Sequence, residues 1–286
     1  AAVLAGTWGS AISPGTSHNP FVADLAGTDI MSVIMNEAPS AIAASIVCAA
    51  TLAAIAIIRS EGPNEERRAA YLEELAEEER DENFHINPLY AIVPLVPLIL
   101  LVLGSKQVAV LPLVSVPTAM ITGCILSLIV TRTSPQEVTK KFFDGMGDAY
   151  GSVIGLIVSA AVFTAGMTAM GLTGALIETM KGSESIARIA GAFGPFVIAI
   201  ISGSGDAAAL AFNGAITPHA ETFGMTIVDL GSLAQMAGAI GRSMSPVAGA
   251  AIVCAGLAKV SPMEMTKRNA LPMLLATITF MIVLFL

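Results

Sequence analysis

The sequence predicts an all-α membrane protein that contains an internal repeat. Apolar residues make up 55% of the 286-residue chain and charged residues 13%, whereas soluble domains carry about 25% charged residues. Apolar runs that approach the length needed to cross about 30 Å of hydrocarbon occur at residues 38–58, 88–104, 108–130, 151–170, 226–241 and 267–286. The bilayer is therefore the expected surroundings, and nucleic acid is not an expected partner.

The second observation is a repeat at an offset of 232 residues. Residues 6–15 read GTWGSAISPG and residues 238–247 read GAIGRSMSPV, and the match continues without gaps to Ala38 and Ala270. Both stretches interrupt apolar sequence with glycine and proline. Unwound backbone within a membrane is tolerated only where it is buried in protein or lines a cavity. Paired interruptions therefore indicate broken transmembrane helices at the binding site of a secondary transporter with inverted repeats.

The repeat and the composition divide the chain into four regions. Residues 1–58 end a first repeat with a broken helix and a span, 59–87 form a charged linker, and 88–134 contain further spans. Residues 135–286 form a second repeat, which we expect to comprise an arm helix, a hairpin at about 182–222, a broken helix at about 226–259 and a last span. No hairpin precedes residues 6–15, so we interpret the first repeat as incomplete and the chain as a fragment that does not transport by itself.

Basic residues predict the orientation in the membrane. The linker and the loops that share its side carry most of them: Arg59, Arg67, Arg68, Arg80, Arg132, Lys140, Lys141, Lys259, Lys267 and Arg268. On the opposite side lie Lys106, Lys181 and Arg188. Lysine and arginine concentrate in cytoplasmic loops, so we expect a multi-pass protein of the bacterial cytoplasmic membrane with a cytoplasmic linker and an external C-terminus. Residues 135–150 combine these lysines with Phe142 and Phe143, which indicates an interfacial arm.

Arg242 lies within the second broken helix. A guanidinium at the centre of a membrane helix costs about 2.5–3.5 kcal/mol on insertion scales, so a compensating partner is expected. One interpretation is an internal partner, either Asp206, Asp229 or backbone carbonyls. The other is a substrate carboxylate, which the planar guanidinium can bind through two parallel hydrogen bonds. The second interpretation indicates an organic anion as substrate.

A glycine-containing turn at residues 201–208, ISGSGDAA, is expected to form the tip of the hairpin. Glycine permits a tight backbone reversal, and free amides at such a tip suit an anion, whereas carbonyls suit a cation such as Na⁺. A plain tight turn is the alternative. The candidate substrate-binding residues at this tip are Ser202, Gly203, Ser204 and Gly205.

The two breaks supply further candidate ligands. Ser13 and Ser245 occupy the same place in the repeat, each directly before a proline, with Thr16 and Ser243 close by. Proline leaves backbone groups without helical hydrogen bonds, so these hydroxyls either satisfy freed backbone or contact substrate. For His18 we expect a polar packing role.

Candidate ion-coupling residues follow the tip: Asp206, Asn213 and His219. We expect His219 to be an exit-side or hydrogen-bonding residue rather than a proton carrier. The sequence does not decide between H⁺ and Na⁺, and no cofactor or metal is expected, because Cys48, Cys124 and Cys254 lack metal-binding spacing.

An enzyme is not expected, since Ser204 and His219 are the only plausible nucleophile and base and no orienting partner is evident. The alternative function is a cation/proton antiporter, which would use Asp206 or His219 as its proton site and would be insensitive to dicarboxylates.

Several motifs together resemble a known family. These are 241–249 (GRSMSPVAG), 255–262 (AGLAKVSP), Lys267 with Arg268, the hairpin tip 202–208, and the linker with the following 90–97 (YAIVPLVP). They are similar to anaerobic C4-dicarboxylate carriers of the DcuC type, with the family's N-terminal part missing. Asp206 stands where members of this family carry Asn, and the Ser-Asn-Thr tip motif of sodium-coupled carboxylate carriers is not evident, so Na⁺ coupling is not indicated.

The resemblance implies an elevator-type transporter of the ion-transporter superfamily. Two inverted repeats with re-entrant hairpins would form a mobile domain, and residues 88–134 would belong to a scaffold that forms a homodimer in the lipid bilayer. The implied substrates are small dicarboxylates such as succinate, fumarate and malate, moved by exchange, uptake or efflux through alternating access. Their site would lie between the hairpin tip 202–206 and the breaks at 9–16 and 241–245.

Overall fold

The computed structural model describes residues 6–9, 12–14, 16–59, 88–105, 108–180 and 183–286. Within these ranges the chain is helical and contains no β-strand. The helices are numbered in chain order as α1 His18–Ala26, α2 Ile30–Ile58, α3 Pro88–Ile92, α4 Val96–Leu103, α5 Val116–Thr131, α6 Pro135–Ala149, α7 Gly155–Ala169, α8 Leu172–Met180, α9 Glu184–Ser202, α10 Gly205–Ala215, α11 Ile227–Arg242, α12 Gly249–Leu257 and α13 Pro262–Leu284.

Three described helices, α2, α9 and α13, are long and apolar enough to cross a membrane. A fourth candidate is the pair Ile157–Ala169 and Leu172–Met180, which bends by 79°. These helices contain the run predicted at 38–58 and most of the runs at 151–170 and 267–286. The several long apolar helices therefore confirm the prediction of an all-α protein of membrane type.

Two predicted spans are shorter or more broken than expected. The run 88–104 divides into α3, a 3₁₀ turn at Val93–Leu95 and α4, with Pro94 and Pro97 at the start of the later pieces. Proline lacks an N–H donor, and it favours the first turn of a helix over the interior. The run 108–130 is helical only from Val116, after the Ser115 side chain accepts a capping hydrogen bond from the backbone amide of Thr118.

Helix α11 lies at the centre of the fold. Its residues from Leu230 to Gly241 are all buried, and α9, α10, α1 and α13 pack against it. A helix buried on every side must bring small residues to its neighbours, and α11 contains Gly231, Gly238 and Gly241. The polar side chains within it are consequently enclosed by protein.

The long helices α2 and α13 pack against each other. Ala41, Ala44 and Cys48 of α2 join Ala276 and Phe280 of α13 in the main apolar core. Asn36 and Glu37 lie near the other end of α2, beside α11. The pair therefore covers one side of the buried helix α11.

Local structure repeats at the same offset as the sequence. Asp29 caps the start of α2 and Ser261 caps the start of α13, 232 residues further on. Before each cap the backbone turns left-handed, with φ of 63° at Gly27 and 54° at Lys259. Both turns close with the same hydrogen bonds, from Thr28 N to Ala23 O and from Val260 N to Ala255 O. The sequence repeat is thus also a structural repeat in these segments.

Residues within the predicted hairpin form two helices, α9 and α10, which pack against each other. Helix α9 ends at Ser202, Gly203 adopts a φ of 74°, and the Ser204 side chain caps α10 by accepting from the amide of Ala207. A positive φ is favourable only for glycine among these residues. After α10 the chain continues into a 3₁₀ helix at Thr217–Phe223.

The predicted arm is the helix α6, none of whose residues is buried. Val138, Phe142 and Met146 follow one another at intervals of four residues, so they lie on one side of it. A π-helical turn at Tyr150–Ile154 joins it to α7. The interfacial role of this arm stays a prediction, and the linker 59–87 lies outside the described residues apart from Arg59.

Candidate functional site

The second broken helix is interrupted between α11 and α12. The amides of Ser243, Met244 and Ser245 bond to carbonyls three residues earlier, which tightens the last turn of α11. Pro246 has no N–H to continue the helix. The hydroxyl of Ser245 accepts from the amide of Val247 at 3.4 Å, so it satisfies backbone that the break has freed.

The first broken helix has a similar interruption before α1. The carbonyl of Ser13 accepts hydrogen bonds from the Thr16 hydroxyl and the Asn19 side-chain amide, both at 2.9 Å. Residues 6–9 are helical and α1 begins at His18. Thr16 and Ser13 therefore stabilise the break itself.

The hairpin tip meets both breaks. A Cβ atom added to Gly203 would lie 3.0 Å from the Val247 side chain and 3.2 Å from the amide nitrogen of Ala248. Asp206, in the first turn of α10, approaches Nδ1 of His18 at 3.4 Å. The hydroxyls of Thr7 and Ser243 are 2.5 Å apart. The structure thus brings together the three segments that the sequence proposed as one site.

Backbone contacts hold the hairpin tightly against α11. A Cβ atom on Gly205 would lie 2.7 Å from the carbonyl oxygen of Gly238, and one on Gly241 would lie 2.3 Å from that of Phe196. Any side chain at these positions would overlap backbone atoms, which cannot move away independently. Glycine therefore determines how closely the tip approaches the break.

Arg242 ends α11 beside this tip and is half-buried. It forms no ion pair or side-chain hydrogen bond with another described residue, although it interacts electrostatically with Asp206. Asp229, the other proposed partner, accepts instead from Asn36 at 2.9 Å and from Thr226 at 2.6 Å. Most of the hydrogen-bonding capacity of the guanidinium thus remains for a ligand.

The helix that follows each break begins without a side-chain cap. Neither Ala248, before α12, nor Ser17, before α1, accepts a hydrogen bond from the first turn through its side chain. Free N–H groups at a helix start carry partial positive charge and attract anions. The neighbourhood of Arg242 therefore has backbone donors as well as a cation.

Two of the predicted coupling residues lie away from the tip. Asn213 is fully buried, where it donates to the carbonyl of Gly231 at 3.3 Å and accepts from the Thr217 hydroxyl at 2.7 Å. His219 is exposed beyond the far end of α10, which at 11 residues is about 16 Å long. Asp206 is the coupling candidate that the fold brings to the tip.

A buried polar cluster lies outside the candidate residues that the sequence indicated. Glu37 in α2 is fully buried, and its Oε2 atom accepts from the Gln235 side-chain amide at 2.7 Å. The same Nε2 atom of Gln235 donates to Asn19 at 2.6 Å. An acidic residue within a membrane helix is itself a functional signal. Glu37 was not among the predicted site residues because the predicted span began at residue 38, one residue after it.

Two cavities lie apart from the hairpin tip. One of about 310 Å³ lies among Asp24, Asp29, Leu101, Gly104 and Ser115. The other, of about 370 Å³, is lined by apolar residues of α1 and α7 together with Thr164, Leu210 and Gly214. Neither lining includes Arg242, Asp206 or another residue of the hairpin tip, although Pro14 of the first break lines the first cavity. The candidate site is therefore a convergence of segments rather than one of these cavities.

Comparisons with known proteins identify relatives among carriers. The family described as C4-dicarboxylate anaerobic carrier, DcuC, matches residues 1–286. A Haemophilus influenzae protein described as an uncharacterized transporter is 44% identical over 272 residues, which cover 93% of this chain and 97% of that protein. The anaerobic C4-dicarboxylate transporter DcuC of Escherichia coli is 31% identical over 200 residues, or 66% of this chain and 42% of that transporter. No solved structure matches the chain.

Proposed function

Because the chain belongs to the DcuC family of C4-dicarboxylate anaerobic carriers, we propose that it moves C4-dicarboxylates across a membrane as a secondary transporter. The family and the relatives are transporters, which confirms that the chain is not an enzyme. Its apolar helices and its family together make it a multi-pass membrane protein. The bacterial inner membrane is the proposed location.

The observation that carries this proposal is Arg242, beside the hairpin tip and the second break. Its guanidinium has no ion pair among the described residues, yet it lies where three segments of irregular backbone meet. A planar guanidinium binds a carboxylate through two parallel hydrogen bonds. One carboxylate of the substrate is therefore proposed to bind Arg242.

The second carboxylate requires further donors within a few ångströms. Uncapped amides at the start of α12 supply them, together with the tip at Ser202, Gly203, Ser204 and Gly205. The hydroxyls of Ser243 and Ser245 are already engaged with Thr7 and the Val247 amide, so their proposed contact with substrate would require these bonds to exchange. Ser13 and Thr16 of the first break are the remaining proposed contacts to substrate.

The movement proposed is alternating access in which α9 to α12 shift relative to a scaffold. Helices α3 to α5 pack chiefly on one another and expose large apolar side chains such as Leu95, Ile121 and Ile129. Lipid, or a second copy of the chain in a homodimer, would cover such a surface. Inverted repeats and an elevator motion are part of this proposal.

The cation/proton antiporter remains the second hypothesis and is not favoured by the family. It would use Asp206 or His219 as its proton site and would transport no organic anion. Asp206 instead approaches His18 and lies in the field of Arg242. An antiporter also does not explain why Arg242 forms no ion pair with another described residue.

The test is counterflow of labelled succinate in proteoliposomes, with the Arg242→Gln variant beside the parent, both in a chain completed with the N-terminal part that the first repeat is expected to lack. Hydrogen bonds to charged groups contribute about 1.5–3 kcal/mol, so we expect apparent succinate affinity to fall roughly 10- to 100-fold. The control is Arg268→Gln, which removes an arginine paired with Glu264 near the start of α13. Equal affinity in both variants would give Arg242 a structural role, and no counterflow in a folded parent would contradict dicarboxylate transport.

A further inference from the structure

The buried cluster around Glu37 has an unusual pattern of unsatisfied atoms. Among the described residues, Oε1 of Glu37, Oε1 of Gln235 and Oγ of Ser232 are buried and have no hydrogen-bond partner. Ser232 and Gln235 lie one turn apart on α11, and both are close enough to act on the Glu37 carboxyl. Buried polar atoms are nearly always hydrogen-bonded. Even if the Ser232 hydroxyl donates to Oε1 of Glu37, Oε1 of Gln235 is left without a donor and requires an explanation.

The orientation of the Gln235 amide is fixed by its neighbours. Asn19 uses its nitrogen to donate to the carbonyl of Ser13 at 2.9 Å, which leaves its oxygen to accept from Gln235 at 2.6 Å. The Nε2 atom of Gln235 then also donates to Oε2 of Glu37 at 2.7 Å. Both hydrogens of this amide are therefore used, and its oxygen can only accept.

An ionised Glu37 leaves this arrangement one hydrogen-bond donor short. A carboxylate has acceptors only, and so does the oxygen of Gln235, whereas a protonated carboxyl group carries one O–H donor. The Ser232 hydroxyl carries a single O–H, which can satisfy Oε1 of Glu37 or Oε1 of Gln235 but not both, so a proton on Oε1 of Glu37 supplies the second donor. With Gln235, the two groups then form the reciprocal pair of a carboxylic acid and a primary amide.

No cation replaces this proton within the described part of the chain. The elements packed against α2 carry titratable groups of their own: His18 and Asp24 on α1, Asp229 and Arg242 on α11, and Glu264, Lys267 and Arg268 on α13. None of these forms an ion pair with Glu37. Burial without a cation disfavours the charged carboxylate, and acidic residues within membrane helices commonly serve proton relays.

We propose that Glu37 is a proton-binding site, whose proton pairs with Gln235 and is taken up and released once in each transport cycle. The hydrogen-bonded path Ser13, Asn19, Gln235, Glu37 connects this site to the first break. Loss of the proton would leave the pair as two facing acceptors and disturb the break through Asn19. The coupling role rests on the proposed transport of dicarboxylates, whereas the protonation of Glu37 does not.

The first experiment measures uptake of labelled succinate driven by an imposed pH gradient, beside succinate exchange at equal pH. In the parent we expect the gradient to stimulate uptake. In Glu37→Gln, which imitates the neutral acid, we expect this stimulation to be lost while exchange remains measurable. Glu178→Gln removes an exposed carboxyl on α8 and should retain stimulation. Stimulation by a Na⁺ gradient alone, or stimulation that persists in Glu37→Gln, would overturn the coupling role.

The second experiment does not depend on transport. The infrared spectrum of the purified parent at neutral pH should contain the carbonyl stretch of a protonated carboxyl group, and it is compared with the spectrum of each variant by subtraction. We expect this band to be absent from Glu37→Gln, present in Glu178→Gln, and shifted to higher frequency in Gln235→Met, where the acid loses its acceptor. A band unchanged in Glu37→Gln, or no band in the parent, would overturn the site. A parent without succinate exchange but with the Glu37 band would contradict the proposed function alone.

Discussion

At the level of single residues, glycines that allow close backbone contact are as important for the candidate site as its charged residues. Gly205 and Gly238 face each other so closely that a Cβ atom on either would reach the other's carbonyl oxygen. Gly241 meets the backbone of Phe196 in the same way. These contacts place Arg242, the next residue, beside the hairpin. Each glycine is therefore required by packing rather than by flexibility.

We expect Gly241→Ala to destabilise the protein by about 1–3 kcal/mol, the usual cost of overpacking a well-packed interior. The matched control is Gly256→Ala in α12, where an added Cβ atom meets nothing within 4 Å and alanine is the better helix former. The measurement is the denaturant midpoint of purified protein in detergent. Equal midpoints for the two variants would contradict the close contact with Phe196.

At the level of elements, the site is assembled from helix ends. Helix α9 ends at a glycine with positive φ, α11 ends before Pro246, and α12 begins without a side-chain cap. Such ends expose backbone donors and acceptors that a continuous helix would use internally. The hairpin and the breaks therefore contribute backbone groups, while Arg242 contributes the charge.

A labelling experiment tests whether substrate reaches the hairpin tip. In a background without Cys48, Cys124 and Cys254, we expect bound succinate to slow modification of Ser202→Cys by a soluble thiol reagent. Thr222→Cys is the control, since it is also exposed but lies beyond the far end of α10. Protection of both cysteines, or of neither, would contradict a substrate site at the tip.

At the level of the whole molecule, the two repeats meet through their long helices. Helices α2 and α13 begin 232 residues apart and pack against each other, and α1 and α12 precede them with matching turns. Charge differs between the copies: Lys259 replaces Gly27 in the left-handed turn, and Arg242 stands where the first repeat has Ser10. The two repeats consequently share their helix arrangement in these segments but contribute different charges to the candidate site.

The predicted orientation can be tested on the whole chain. The excess of lysine and arginine on the linker side predicts a cytoplasmic linker and an external C-terminus. We expect a fluorescent protein to fold when inserted within residues 60–87 and alkaline phosphatase to be active when fused after Leu286. Alkaline phosphatase inserted within residues 60–87 and a fluorescent protein fused after Leu286 should both be inactive. Cytoplasmic placement of both positions would contradict the predicted orientation.

The sequence by itself determined the class, the repeat and the positions of the hairpin turn and the second break. Composition indicates that the chain lies in a membrane. Proline and glycine change the backbone only within their own turn. An isolated arginine in apolar sequence requires a partner. These signals are local, so they located the hairpin turn at Gly203, the break before Pro246 and Arg242 without tertiary information. They also failed locally, where prolines divided the run 88–104 and a misplaced boundary excluded Glu37.

Only the tertiary structure decided which polar groups meet. Glu37 and Gln235 are 198 residues apart, and Gln235 and Asn19 are 216 apart, so no spacing rule could pair them. Asp206 contacts His18, and Asp229 bonds Asn36 rather than Arg242, because helix packing brings those faces together. Contacts between distant segments depend on the combined packing of several helices, whereas the signals read from the sequence act within a few residues. The proton site at Glu37 could therefore be inferred only from the fold.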